Sequence, residues 1–126
     1  MEQVDLTTNS LISVVDDDRS ICRMLARIIR SIGFDVEAFA SAEAFLDSGR
    51  IGDSACLILD VDLPGMSGIE LQQRLNDFSK PIPIIFVSGK MDDEMQERVL
   101  QAGAVGIFKK PFNIHSLITA IHTVGH

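Results

Sequence analysis

Five polar residues follow short apolar runs of this sequence, and their types suit chemistry on a phosphoryl group. Four separate runs are followed in turn by Asp16 and Asp17, by Asp60, by Ser88 and by Lys110. Carboxylates gathered in one pocket repel each other, and a divalent cation is the simplest way to keep them ionised. Magnesium suits such a pocket because it binds carboxylate and phosphate oxygens in octahedral geometry. The set therefore predicts a magnesium site that handles phosphate.

Asp60 is the residue in this set that could act as the nucleophile. An aspartate carboxylate can attack phosphorus and form a covalent acyl phosphate. The charge on the transferred oxygens must then be neutralised, and magnesium, the Lys110 ammonium and the Ser88 hydroxyl or nearby backbone N–H groups could do this. Asp18, directly after the acidic pair, is interpreted as the N-cap of a helix.

This chemistry requires a fold that brings distant residues together. Short apolar runs alternate with amphipathic segments, which is the pattern of strands and helices in a parallel sheet covered on both faces. Five strands are predicted, at Leu11 to Val15, Asp35 to Phe39, Cys56 to Leu59, Ile84 to Val87 and about Val105 to Lys109. Ligands bind such sheets at the carboxyl ends of the strands, where the five polar residues stand.

Apolar residues spaced three and four apart predict a helix after each strand. The predicted helices are one with Ile21, Met24, Leu25, Ile28, Ile29 and Ile32 that stops at Gly33; a short one at Ala42 to Leu46 capped by Ser41; one with Ile69, Leu71, Leu75 and Phe78; one near Asp92 to Gln101 that stops at Gly103; and one with Ile114, Leu117, Ile118 and Ile121 capped by Asn113. The fold class is therefore α/β, a three-layer (βα)5 sandwich.

Length and composition limit the functions that this chain can have. Its 126 residues are enough for one domain, which we place at residues 11–126 after a flexible N-terminal tail at residues 1–10. A net charge of -7 argues against direct binding of nucleic acid. No stretch approaches the roughly 20 apolar residues of a membrane span, so we expect a soluble, cytoplasmic protein. Cys22 and Cys56 lie in apolar runs and are interpreted as buried free thiols.

Four segments resemble the receiver domains of bacterial two-component response regulators, and the resemblance runs from about residue 11 to residue 124. They read VVDDD, LILDVDLPGMSGIEL, IIFVSGK and FKKPF, at the first, third, fourth and fifth strands. The segments SAEAFL and MSGIEL are similar to the nitrogen-fixation (FixJ) and LuxR types of regulator, which usually carry a C-terminal helix-turn-helix domain that is absent from this sequence. The resemblance implies a flavodoxin-like fold with strand order 2-1-3-4-5 and a signalling phosphoacceptor rather than an enzyme.

The resemblance also implies a role for each site residue. Asp60 would be the phosphoacceptor, Ser88 the switch hydroxyl, and Lys110, rather than its neighbour Lys109, the site lysine. The magnesium ligands would be carboxylates of the acidic pair and the acceptor, with Asp17 a direct ligand, and one backbone carbonyl; the full set is Asp16, Asp17, Asp60 and the Asp62 carbonyl.

One position departs from the family pattern. Receivers usually have Tyr or Phe three residues before the site lysine, whereas this chain has Ile107 there and Phe108 one place later. Two alternatives remain open from the sequence. Either Ile107 follows the movement of Ser88 through packing alone, or Phe108 acts from the other side of the strand.

The resemblance implies a sensor histidine kinase as phosphodonor and an output domain or partner protein as receiver of the signal. We expect that partner to bind the last two helices and the fifth strand, and phosphorylation-dependent homodimerisation is an alternative use of the same face. Neither nucleic acid nor a membrane is expected as a direct partner of this segment.

Two rival functions fit part of the sequence. Asp60-Val61-Asp62 is a D-x-D after an apolar strand, as in phosphatases of the haloacid dehalogenase class, but that class places its acidic pair after the D-x-D rather than before it. The second rival is a receiver-like interaction module that is never phosphorylated. Turnover of acetyl phosphate without a stable adduct would indicate the phosphatase, and no reaction would indicate the silent module.

Overall fold

The structure, a computed structural model, describes residues 10–78 and 81–124. Most of the predicted tail at residues 1–10 and the last two residues of the predicted domain lie outside these ranges, so this domain division stays a prediction. Strands and helices alternate along the chain: β1 Leu11–Val15, α1 Arg19–Ser31, β2 Asp35–Phe39, α2 Ala42–Asp47, β3 Ser54–Asp60, α3 Gly68–Asn76, β4 Ile84–Ser88, α4 Asp93–Gln101, β5 Gly106–Lys109 and α5 Ile114–Val124.

The strands form one parallel sheet in the order β2-β1-β3-β4-β5. Successive side chains of a strand point to opposite faces, so β3 places Leu57 and Leu59 on one face and Ile58 on the other. Helices α2, α3 and α4 cover the first face, and α1 and α5 cover the second. The predicted flavodoxin-like three-layer fold is confirmed.

Two strand boundaries differ from the prediction in a way that matters for the site. β3 and β4 each extend one residue further than their apolar runs, so Asp60 and Ser88 are the last residues of strands and not loop residues. Their backbones are therefore fixed by the sheet. At the other end of β3 the strand starts at Ser54, whose hydroxyl lies 2.6 Å from that of Ser13 on β1.

All five predicted helices are present, but two of the apolar residues whose spacing predicted them are exposed. Met24 is 38% exposed because only the narrower stripe of α1 that contains Leu25 and Ile29 reaches the sheet. Phe78 is 45% exposed and lies beyond the end of α3. The predicted caps are confirmed, with side-chain oxygens of Asp18, Ser41 and Asn113 accepting backbone N–H groups of the first turns.

The prediction of buried free thiols is confirmed for Cys56 but is wrong about the burial of Cys22. Both cysteines are free; Cys56 is buried, which raises the pKa of its thiol to about 12, whereas Cys22 is only partly buried. Across residues 10–78 and 81–124, every helix is too short or too polar to cross a lipid bilayer.

Candidate functional site

The carboxyl ends of β1, β3 and β5 bring four of the predicted side chains to one edge of the sheet. Asp16, Asp17 and Asp60 each offer a carboxylate oxygen, and these three oxygens lie within 4.8 Å of one another. The ammonium nitrogen of Lys110 lies 2.9 Å from Asp16 Oδ2 and 3.4 Å from Asp60 Oδ2. The fold thus builds a cluster of three carboxylates and one lysine from residues up to 94 positions apart, since 110 − 16 = 94.

The two inner carboxylates are buried and only partly satisfied. Asp16 is 1% exposed and Asp60 is 3% exposed, whereas Asp17 lies at the surface. One oxygen of each inner carboxylate accepts a backbone N–H group, from Asp18 at 2.9 Å and from Asp62 at 3.2 Å. Among the described residues no hydrogen-bond donor is aligned on Asp16 Oδ2, although Lys110 lies close to it. In the described part of the chain, three carboxylates face a single lysine, so the cluster carries excess negative charge that a bound cation would neutralise.

This environment shifts the protonation equilibria of the site. Burial and the neighbouring charge of Asp16 raise the pKa of Asp60 to about 6, although Lys110 and the Asp62 N–H group oppose the shift. Partial burial acts to lower the pKa of Lys110, but its close contacts and charge interactions with Asp16 and Asp60 raise that pKa overall. The lysine is thus held in its charged form beside two carboxylates.

The raised pKa of Asp60 predicts a pH-dependent stability of the metal-free protein. The folded state holds this proton more tightly than the unfolded state, so the free energy of unfolding should fall as pH rises from about 4 to about 6 and level off above. Asp60→Asn has no carboxyl group to ionise at this position, so its free energy of unfolding should not fall in this way. The variant should therefore be more stable than wild type by roughly 1–3 kcal/mol at pH 7.5. Urea denaturation in EDTA at several pH values measures the difference, which should vanish near pH 4. A difference that does not vary with pH would show that Asp60 titrates normally.

Ser88 joins the site through its backbone, but its hydroxyl is engaged elsewhere. The Lys110 N–H group donates to the Ser88 carbonyl oxygen at 2.8 Å, which fixes the start of the lysine loop against the end of β4. The buried Ser88 hydroxyl donates to the Lys90 carbonyl oxygen at 2.6 Å and accepts the Lys90 N–H group at 3.1 Å. The hydroxyl must leave Lys90 before it can donate to any group bound at Asp60.

Gly68 belongs to the segment that resembles the phosphoacceptor motif of receivers, and the structure shows why a glycine is needed there. Its N–H group donates to the Val61 carbonyl oxygen at 3.0 Å, and a Cβ atom built on it would clash with the Asp60 carbonyl oxygen. A side chain at this position would push α3 away from the end of β3. The resemblance to receivers pointed to this glycine, but its close approach to the Asp60 carbonyl oxygen could not be predicted from the sequence.

Comparison with known proteins decides the family. Residues 12–122 match the family model described as "Response regulator receiver domain". This chain belongs to that family. As a receiver domain it is a signalling phosphoacceptor rather than a turnover enzyme, and the assignment decides against the haloacid dehalogenase class.

Relatives and solved structures agree with the assignment. The receiver domain is 44% identical over 112 residues to the response regulator protein TodT of Pseudomonas putida, covering 89% of this chain and 49% of TodT. It is 35% identical over 118 residues to the transcriptional regulatory protein FixJ of Bradyrhizobium diazoefficiens, covering 94% of this chain and 58% of FixJ. The structure of the response regulator StyR superimposes with a TM-score of 0.86 at 42% identity over 94% of this chain and 60% of StyR. The receiver domain thus spans about half the length of these curated relatives.

The structure favours one of the two alternatives for the atypical switch position of this receiver domain. Ile107 pairs with Phe86 on β4, and its side chain packs into the cluster under α2, α3 and α4. Ser88 lies two residues beyond Phe86 and therefore on the same face of the sheet. Phe108 packs on the opposite face, in the cluster under α1 and α5. Ile107, and not Phe108, is thus placed to respond to a movement of the Ser88 side chain.

Proposed function

We propose that this receiver domain accepts a phosphoryl group from a sensor histidine kinase on Asp60, in a magnesium-dependent reaction. The observation that supports the proposal is the burial of the Asp60 carboxylate beside Lys110 and Asp16, at the edge of the sheet where ligands of this fold bind. A buried carboxylate with a raised pKa and a lysine 3.4 Å away is costly for the fold. Such a cost is typical of functional sites.

The donor set fits magnesium. Asp16, Asp17 and Asp60 supply carboxylate oxygens, and the Asp62 backbone carbonyl would complete the protein ligands. Mg²⁺ binds oxygen ligands of this kind in proteins. The buried Asp16 Oδ2 atom accepts no hydrogen bond from the described residues, so a bound cation would satisfy it. When bound, the metal would neutralise the crowded carboxylates and the oxygens of the arriving phosphoryl group.

Asp60, Lys110 and Ser88 would each have a separate role in the transfer of the phosphoryl group. A carboxylate oxygen of Asp60 forms the new bond to phosphorus while the bond between phosphorus and the kinase histidine nitrogen breaks, and that nitrogen keeps the electron pair. Lys110, held beside Asp60 by its Asp16 contact, donates to a phosphoryl oxygen. The backbone bond between Lys110 and Ser88 keeps the lysine in reach during the transfer.

The function is tested most directly by intact mass. The wild-type chain is incubated with Mg²⁺ and acetyl phosphate, and the proposal requires a gain equal to one phosphoryl group, which peptide mapping assigns to Asp60. Consumption of acetyl phosphate without an adduct would indicate phosphatase activity. An unchanged mass and unchanged acetyl phosphate would indicate a silent interaction module.

Phosphorylation would be transmitted through Ser88 to the last two helices. The Ser88 hydroxyl would leave the Lys90 carbonyl and donate to the phosphoryl oxygen, and Ile107 would fill the space that the movement opens. The output face would be α4, β5 and α5. Leu100 on α4 is 51% exposed, and Val105, directly before β5, is 49% exposed. A partner or a second copy of this chain would cover these apolar side chains.

Self-association on this face should respond to a phosphoryl mimic. We expect the dimer dissociation constant to fall roughly 10-fold with Mg²⁺ and beryllofluoride, within the usual range of coupling between sites. Sedimentation equilibrium measures it. Ser88→Ala should bind the mimic but lose most of the tightening, and Val105→Glu should prevent association altogether. Equal association constants with and without beryllofluoride would contradict dimerisation as the output.

A further inference from the structure

The carboxylate of Glu43 connects helix α2 to the loop that follows the candidate phosphoacceptor. Glu43 lies in the first turn of α2, and its Oε2 atom accepts the backbone N–H group of Met66 at 2.9 Å. Met66 belongs to the loop between β3 and α3, which starts directly after Asp60 and contains Asp62. The contact joins residues 23 positions apart, so the local sequence does not enforce it.

The two ends of this loop are held by other contacts. At its start, the Val61 N–H group donates to the Val87 carbonyl oxygen at 3.3 Å. At its end, Gly68 packs against the Asp60 carbonyl, and its N–H group donates to the Val61 carbonyl oxygen at 3.0 Å. Between these ends, the Asp62 N–H group donates to Asp60 Oδ1 at 3.2 Å. Within the part of the chain that the structure describes, the Glu43 contact is the hydrogen bond that reaches residues 63–66 from another element.

The geometry of Gly65 shows that the carboxylate lies directly against the loop backbone. Gly65 adopts a φ of +76°, which favours glycine, and a Cβ atom built there would lie 2.7 Å from Glu43 Oε2. A side chain at this position would displace the carboxylate. The Met66 N–H group, followed by the N–H group of Glu43 itself, lowers the pKa of Glu43, so the acceptor is charged at neutral pH.

Glu43 also has an ordinary structural role, because an acid in the first turn of a helix interacts favourably with the helix dipole. Glu94 provides a direct comparison, since it is likewise the second residue of its helix, α4, and is exposed. Within the described ranges Glu94 has no side-chain hydrogen bond or ion pair, unlike Glu43. The loop contact is thus additional to the dipole interaction.

We propose that Glu43 is a positioning residue of the metal site, which holds the loop after β3 so that the Asp62 carbonyl stays in place to bind Mg²⁺. This inference rests on the proposed function, because it assigns Glu43 a part in that same site. Removing a side chain that hydrogen-bonds to a metal ligand and orients it typically weakens metal binding by 10–100-fold. Glu43 acts on Asp62 through four residues of loop, so we expect an effect at the lower end of that range.

The test measures Mg²⁺ binding to the full chain by isothermal titration calorimetry, without any phosphodonor. Glu43→Ala should raise the Mg²⁺ dissociation constant by about 10-fold, and Glu43→Gln, which keeps an acceptor oxygen, should recover most of the affinity. Glu94→Ala removes the same charge from the same helix position and should bind Mg²⁺ as wild type does. The amide proton of Met66 should exchange faster in Glu43→Ala than in Glu94→Ala.

Phosphorylation by acetyl phosphate gives a second readout that separates positioning from loss of fold. For Glu43→Ala the rate should be reduced at low Mg²⁺ and should approach the wild-type rate at saturating Mg²⁺. A reduction that saturating Mg²⁺ does not relieve would overturn the assignment to metal positioning. Failure of the wild-type chain to be phosphorylated would reject the proposed function instead, and the Mg²⁺ titration would still decide the role of Glu43.

Gly65→Ala tests the same contact from the loop side. Its new methyl group would displace the Glu43 carboxylate, so this variant should also weaken Mg²⁺ binding, and combining it with Glu43→Ala should add little. Fully additive effects of the two substitutions would show that they act independently. Equal Mg²⁺ affinity of Glu43→Ala and Glu94→Ala would overturn the inference.

Discussion

The Asp60→Asn variant is expected to gain no phosphoryl group in acetyl phosphate and Mg²⁺, under conditions in which most of the wild-type chain is modified. An uncharged side-chain amide is a far poorer nucleophile towards phosphorus than a carboxylate. The substitution preserves the shape of the side chain, and it removes a buried charge whose raised pKa makes it costly for the fold. The loss should therefore be complete while the fold is retained or stabilised. Intact-mass spectrometry and circular dichroism of the same sample measure both properties.

Asp62→Asn is the matched control for this loss. Asp62 is the other carboxylate of the D-x-D sequence and the alternative acceptor in this segment. Its side chain is exposed, and the ion pairs of Lys110 within the described residues are with Asp16 and Asp60 instead. Its proposed contribution to the metal is its backbone carbonyl, which the substitution leaves unchanged. Asp62→Asn should therefore form the adduct. An adduct on Asp60→Asn, or its absence from Asp62→Asn alone, would reject Asp60 as the acceptor.

The strand positions of the site residues could be predicted from the sequence for a clear physical reason. A strand buried on both faces must be continuously apolar, so the first polar residue after such a run marks the carboxyl end of the strand. Asp60 after Leu59 and Ser88 after Val87 follow this rule, and both lie at the last strand position. Parallel strands then gather those ends at one edge, which made the cluster of acids and Lys110 predictable.

Contacts that depend on loop geometry could not be predicted in the same way. The bond from Met66 to Glu43 depends on where a turn with a positive φ at Gly65 places one N–H group, and no periodic pattern encodes that. The exposure of Met24 was missed because spacing defines a face of a helix but not how wide a strip of it the sheet covers. The orientation of the Ser88 hydroxyl towards Lys90 is likewise a choice between rotamers.

Lys110→Met should slow phosphorylation by acetyl phosphate roughly 100-fold to 1,000-fold, which is the usual effect of removing a charged donor from a transition state. The same substitution should tighten Mg²⁺ binding, because the ammonium lies 2.9 Å from Asp16 and 3.4 Å from Asp60 and competes with the metal for these carboxylates. Weaker catalysis combined with tighter metal binding separates a direct role of Lys110 from general damage to the site. Without metal, the variant should lose roughly 1–3 kcal/mol of stability, since two buried carboxylates lose their counter-charge.

Lys109→Met is the control for Lys110→Met, because it removes the same charge from the neighbouring residue. The Lys109 side chain is exposed and makes no ion pair within residues 10–78 and 81–124. The phosphorylation rate and the Mg²⁺ affinity of Lys109→Met should stay close to those of wild type. Quenched-flow mass analysis measures the rate, and calorimetry measures the affinity. Lys110→Arg keeps the charge but carries a bulkier planar group, so it should restore stability more fully than rate. If Lys110→Met binds Mg²⁺ more weakly than Lys109→Met, the Lys110 ammonium does not compete with the metal for the Asp16 and Asp60 carboxylates.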